Sequence, residues 1–144
     1  MTKEKIKTIV IVVLIIAVLL LVWQSYIEAV EIERRAMQDV HLELYSIDRL
    51  VAVAETEEEW ELGIAWIRFK NEVFQPYPRG EAAKRVLEVC KKISELEFGS
   101  AEYEEVKEIL GEKWFIGWYS SLYQAYLVIS DEENFARLEE ILGI

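Results

Sequence analysis

The 144-residue chain contains one cysteine, Cys90, and one histidine, His41. A lone cysteine excludes an intrachain disulfide, so any domain here is held by packing. A lone histidine, with no Glu-x-x-His or His-Glu-x-x-His spacing around it, leaves no donor set for a catalytic zinc or di-iron centre. No metal and no cofactor are expected. His41 reads as a boundary residue at the edge of a buried helical face. Cys90 reads as a buried member of an apolar stripe, a nucleophile only if His41 stood beside it. The six glycines are scattered rather than gathered into a phosphate-binding loop. With these absences no catalytic residue is expected, and the chain reads as non-enzymatic.

Aspartate is scarce as well. The acid consists of 24 Glu against 3 Asp, beside few Asn or Gln and many Ile and Val, a balance reported for thermophiles that points to a hot-environment source. With the three lysines and one glutamate of residues 1–22 set aside, 13 basic and 26 acidic residues remain, a net charge of −13. That sign excludes nucleic acid and anionic lipid surfaces as partners of this part, because phosphate binding needs the opposite charge. The acidic runs "ETEEEWE", "AEYEE" and "SDEE" fall at first turns of expected helices, where carboxylates complement the helix dipole.

What is abundant is apolar sequence. Thr8 to Ile27 carries no charge, and "IVIVVLIIAVLLLVW" within it is unbroken. Twenty residues at about 1.5 Å each give about 30 Å, the hydrocarbon thickness of a bilayer. Lipid forces each backbone N–H to pair within its own segment, which selects helix despite the β-branched residues. A cleaved signal peptide is the competing reading, since Lys3, Lys5 and Lys7 precede the run. The run is long for such a peptide, however, and only a weak Ile27-Glu28-Ala29 site follows. Trp23 and Tyr26 instead stand where an interfacial aromatic belt anchors a span. The expectation is an uncleaved signal anchor: a tail at 1–7, a transmembrane helix at 8–27 in contact with membrane lipid, and a single pass through the cell membrane. Three lysines lie before the span, and only Arg34 and Arg35 within fifteen residues after it. This bias places the N-terminus in the cytoplasm and the C-terminal domain outside.

Beyond the span, Met37, Val40, Leu44, Ile47, Val51 and Ala54 recur in strict three-four alternation, predicting an amphipathic exit helix over 28–55 in one phase with the membrane helix. Ala29, Ala36 and Leu50 widen the stripe toward bundle packing, with coiled-coil dimerisation as the second reading. "TEEEW" at Thr56 is a capping box opening a helix to about Phe74, with Trp60, Ile64, Ile67 and Phe74 on one face and Trp66, Phe69 and Val73 beside it. "QPYPRG" ends it. A third helix is expected from Glu81 to Glu97 on Ala83, Val86, Leu87, Cys90, Ile93 and Leu96. Ser100 then caps a short one on Tyr103, Val106, Ile109 and Leu110, and a Ser130–Glu133 box opens the last on Phe135, Leu138, Ile141 and Leu142.

Between those last two lies "KWFIGWYSSLYQAYLVIS". From Trp114 it runs seventeen residues without a charge and holds six of the chain's seventeen aromatic residues. As a second span it is short, and Ser120, Ser121 and Gln124 would need partners inside lipid. The expectation is a central helix over 114–129, with Gly117, Ser121 and Ala125 as a small-residue ridge for close helix packing. The fold class expected is therefore all-α: a transmembrane helix continuing into an amphipathic helix, then a compact bundle of about five short helices making an all-helical soluble domain at 56–144.

Large apolar content without reactive side chains points to protein association. The expected role is an accessory subunit of a membrane complex, or a structural protein of a cell or viral envelope, with other membrane or envelope proteins or further copies of itself as partners. The alternative is an extracytoplasmic sensor or small-molecule-binding domain, in which Trp114, Trp118, Tyr119, Tyr123 and Tyr126 line an aromatic pocket on the helix 114–129.

Overall fold

The computed structural model describes residues 3–74, 80–110, 116–120 and 125–144, with the backbone alone described for Phe74, residues 117–120 and Ala125. The fold is all-α in class, with one long N-terminal apolar helix followed by shorter ones. Its elements are α1 (Lys3–Val53), α2 (Glu57–Phe74), α3 (Glu81–Ile93), α4 (Ala101–Leu110), β1 (Ile116–Ser120), β2 (Ala125–Ile129) and α5 (Glu132–Ile141).

α1 is continuous for 51 residues, about 75 Å at the helical rise. No break separates the apolar run from the amphipathic part, as the single phase of the sequence predicts. The two halves differ in what surrounds them. Every residue from Lys3 to Ala29 is exposed, whereas Met37, Val40, Leu44, Ile47, Val51 and the following Ala54 are buried at 0 to 4% exposure. On this second half rest α2, α3, α4 and both strands, while α5 packs on α4.

The helix ends follow local chemistry. Thr56 Oγ1 accepts from the Glu59 N–H at 3.3 Å, and the Glu59 carboxylate reaches back to the Glu55 N–H at 2.9 Å, one residue before the expected partner. Ser100 Oγ accepts from the Tyr103 N–H at 3.2 Å, as expected. α5 departs from its expected box: Asp131, not Ser130, is the N-cap and accepts from the Asn134 N–H at 3.2 Å. α3 stops at Ile93 rather than Glu97, because the chain tightens into i→i+3 hydrogen bonds from Glu95 N–H to Lys92 O and from Leu96 N–H to Ile93 O.

The segment expected as a fifth helix is a correction. Residues 116–120 and 125–129 instead form two antiparallel strands, pairing Ile116 with Ile129, Trp118 with Leu127, Tyr119 with Tyr126 and Ser120 with Ala125. Four short helices and a hairpin thus follow α1 among the described residues. The ridge of Gly117, Ser121 and Ala125 does not exist as a helix face, since Gly117 and Ala125 occupy opposite strands and Ser121 lies outside the described residues. The physical reason is that aromatic and β-branched side chains suit a pleated surface with one covered face. β2 shows that alternation: Tyr126 and Val128 are exposed, Leu127 is buried and Ile129 half-buried. A two-stranded hairpin is marginal alone and here leans on α1, with β2 also against α3.

The rest of the core matches the expected stripes, with Val89 added on α3. Leu87, Leu96 and Ile141 are half-buried at its edge. Tyr103 is central, its ring 5.1 Å from Trp60 in a T-shaped contact and 5.1 Å from Phe98. α3 and α5 are tied by Arg85, whose Nε and Nη2 donate to the two Glu139 carboxylate oxygens at 2.8 Å each. The same guanidinium also donates to Glu132 and lies 5.1 Å from the Phe135 ring centroid. This fork holds the Glu139 carboxyl below the usual carboxylate range.

The Tyr103 hydroxyl is buried and has no hydrogen-bond partner among the described residues. Tyr103→Phe keeps the ring and removes the stranded hydroxyl, so thermal unfolding should show stability equal to the parent or higher by about 1 kcal/mol. A clear loss of stability would mean that the hydroxyl is bonded after all.

Candidate interaction surfaces

Three surfaces stand apart from the core. The first is the N-terminal half of α1, which is long and apolar enough to cross a membrane. Its apolar side chains from Ile9 to Val22 touch no other part of the chain closely enough to be covered. Lys3, Lys5 and Lys7 precede them on the same helix, and Trp23 and Tyr26 follow at 55% and 42% exposure. One turn beyond Ile27, Glu31 accepts hydrogen bonds from both Arg34 and Arg35. The Arg34 pairing holds the Glu31 carboxyl down at about 2, so this cluster stays ionised at any physiological pH.

The second surface is the outer face of α2. Trp60, Ile64 and Ile67 point into the bundle and are buried. Leu62, Trp66, Phe69 and Val73 recur at i, i+4, i+7 and i+11 on the opposite side, and all four are more than half exposed. Trp66 and Phe69 touch, with ring centroids 5.9 Å apart. Trp66, Phe69 and Val73 were expected beside the buried face, and the helical period carries them to its far side. Toward α1, Gly63 has no side chain and admits Leu50. A helix that is apolar on two opposed faces buries only one of them within this fold.

The third surface is a groove. α2 and α3 both lie on α1, and α2 is tied to the chain just after α3 where Trp60 Nε1 donates to Leu96 O at 3.3 Å and Arg68 Nη2 to Ser94 O at 2.8 Å. The Arg68 bridge divides the groove into an upper cavity of about 480 Å³ and a lower one of about 430 Å³, both lined by Arg68 and Ser94. Trp60 and Ile64 line the upper part, and Ile47, Ile67 and Cys90 the lower. Glu57, Glu61 and Glu97 rim the upper part, and Glu72 and Glu95 the lower.

Glu43 lies at the lower cavity and is the one buried charged residue among those described, at 6% exposure. Asn71 Nδ2 donates to its Oε1 at 2.7 Å. Its Oε2 has no hydrogen-bond partner among the described residues. Lys70 is close enough to act on it electrostatically, yet the Lys70 ammonium donates to Ser46 Oγ at 3.5 Å. Burial pushes the Glu43 carboxyl above its usual range, opposed by the Asn71 hydrogen bond and Lys70. Glu43 sits three residues after Val40 and four before Ile47, inside the apolar stripe, and a charge at such a position is the sequence signal for it.

The remaining expected residues are placed as follows. Trp118 and Tyr119 lie on β1, opposite Leu127 and Tyr126, and Tyr126 on β2 is 45% exposed. Trp114 and Tyr123 lie outside the described residues. The helix that was to gather these five aromatics is a hairpin, so that scaffold for a pocket is corrected with it. Cys90 is fully buried, and burial first, then the Glu43 charge, pushes its thiol well above the ordinary value. His41 is half-buried, and burial pushes its imidazole down. No cluster of three metal-ligating side chains occurs among the described residues. In comparisons with known proteins the chain matches no family model, no curated protein and no solved structure.

A carboxyl whose pKa is raised in the folded state binds its proton more tightly there than in the unfolded chain. That contribution to stability is present in acid and is lost as pH rises through the folded pKa, so ionised Glu43 destabilises the fold at pH 7. Glu43→Gln keeps an acceptor for Asn71 without the charge. It should unfold at a higher temperature than the parent at pH 7, by about 1 kcal/mol. The gap should close in scans taken below the usual carboxylate range. A variant less stable at pH 7 would show that the buried charge is compensated.

Proposed function

We propose that the chain is a single-pass membrane-anchored helical protein that acts through protein association, as an accessory subunit of a membrane complex or a structural protein of a cell or viral envelope. Residues 8–27 cross the bilayer and the bundle stands on the C-terminal half of the same helix. The lysines at 3, 5 and 7 keep the N-terminus on the cytoplasmic side and the bundle outside. The glutamate-rich composition fits a hot-environment source.

The observation that carries the reading is the outer face of α2. Large apolar side chains set in a row on an otherwise charged surface are costly to leave in water, and aromatic residues dominate the energetics of protein contacts. Leu62, Trp66, Phe69 and Val73 have no role in the bundle's own core. They present a helix face of the kind that another helix covers with its own apolar stripe. A continuous α1 fixes the height of this face above the membrane, because a straight helix transmits position where a flexible linker would not.

The test is affinity purification of the full-length protein from membranes of its native source. The Trp66→Ser, Phe69→Ser double variant should lose the subunits that co-purify with the parent, with affinity falling about thirtyfold or more. Its melting temperature in detergent should be unchanged, since neither side chain belongs to the core. Retention of the same subunits would remove the basis of the reading. A collapse of thermal stability would show instead that the stripe serves the fold.

A further inference from the structure

We propose that the outer face of the α1–α2 hairpin is covered by a second copy of this chain, turned about a two-fold axis along the membrane normal, so that α1 of each copy packs against α2 of the other. The proposal rests on the protein-association reading above and names the partner.

The stripe on α2 does not stand alone. On α1, Leu42, Tyr45 and Val53 recur at i, i+3 and i+11 and are exposed, on the side opposite Met37, Leu44 and Val51. α2 runs antiparallel beside this helix. Gly63 sits at Leu50, Lys70 Nζ donates to Ser46 Oγ at 3.5 Å, and Asn71 Nδ2 donates to Glu43 Oε1 at 2.7 Å. Both outer faces point away from the bundle and together make one apolar surface two helices wide. The same contacts set its levels, because antiparallel helices pass each other at equal rise per residue. Leu42 stands at the height of Val73, Tyr45 at that of Phe69, and Val53 at that of Leu62.

The area suits a stable dimer. These three residues and the four of the α2 stripe are 38 to 74% exposed, which leaves about 550 Å² of apolar surface at typical side-chain areas. The apolar share of a standard interface is roughly 450–500 Å² per partner. Lipid does not reach this surface, since Val73 stands level with Leu42, about 22 Å of helix beyond Ile27.

Symmetry selects a second copy as the cover. Copies anchored by residues 8–27 in one bilayer stand parallel, so a two-fold axis relating them runs along the membrane normal and keeps every residue at its height. Rotation about it sets α1 antiparallel against α2 of the other copy. The levels matched within one hairpin are then matched across the interface, and the four helices alternate up and down as in an antiparallel bundle. Arg49, exposed on α1 between Tyr45 and Val53, falls at the height of Trp66, so each copy brings a cation to the other's indole.

Full-length protein in neutrally buoyant detergent micelles should sediment at equilibrium as a dimer. Trp66→Ser with Phe69→Ser should raise its dissociation constant about thirtyfold or more. An unchanged constant would assign dimerisation to the membrane helix and overturn the proposal. In vesicles, where buried Cys90 gives little background, a short bismaleimide should join a Val53→Cys copy to a differently tagged Leu62→Cys copy. It should likewise join Leu42→Cys to Val73→Cys. Leu42→Cys and Leu62→Cys, about 16 Å apart in height, should stay unlinked. Linkage of all three pairs alike, or of none, would overturn the proposal. A protein that sediments as a monomer yet loses co-purifying subunits on replacement of Trp66 and Phe69 would overturn the second copy as partner while leaving the association reading intact.

Discussion

The stripe Met37, Val40, Leu44, Ile47 and Val51 on α1 is the surface on which the other elements meet. α2, α3, α4 and both strands lean on it, and its members are buried at 2% exposure or less. The same helix carries, further toward its N-terminus, an apolar run that nothing in the fold covers. A chain in water would be driven to bury such a run against the bundle, at about 25 cal/mol for each Å² of apolar surface hidden. The run is long and apolar enough to cross a membrane, where lipid would cover it as no part of the fold does. α1 thus carries both the uncovered apolar run and the surface around which the bundle is built.

Much of this was legible from spacing alone. A three-four alternation on α1 has one physical solution, a helix with one covered face, and the residues it names are those the structure buries. Caps at Thr56 and Ser100 were readable because hydroxyl-to-N–H geometry is local. The aromatic stretch was not readable in the same way. With no charge between Trp114 and Ser130, apolarity carries no period that separates helix from strand. The four-residue repeat of Gly117, Ser121 and Ala125 misleads for a plainer reason: an even spacing returns to one face of a strand as well as nearly to one face of a helix. What decided the outcome is tertiary, a helical surface on α1 that offered cover to one side of a hairpin only.

α2 shows the opposite difficulty. Its period is clear, and its apolar residues fall on two opposed faces rather than on one face and its flank. Counting turns from Ile64 places Trp66 and Val73 on the side away from the core, so this second face is legible in the sequence. Glu43 was harder. A charge inside an apolar stripe can snorkel to the surface or stay buried, and only the positions of Asn71 and α3 decide between them. These two departures from simple patterning, surplus apolar surface outside and a stranded charge within, both lie on or beside α2. Consistency across levels usually fails where a protein meets something else.

The most direct test of this account is cysteine accessibility in sealed vesicles. Cys90 is fully buried and gives little background. Single cysteines at Leu14, Leu20, Ile32, Glu61 and Arg137, all exposed in the structure, would be exposed in turn to a maleimide that cannot cross membranes. Residues 14 and 20 should stay unlabelled until the vesicles are dissolved, and residues 32, 61 and 137 should all react from one and the same side. Labelling of residue 14 in intact vesicles, or reaction of residues 61 and 137 from opposite sides, would contradict a bundle standing on a single membrane-spanning helix.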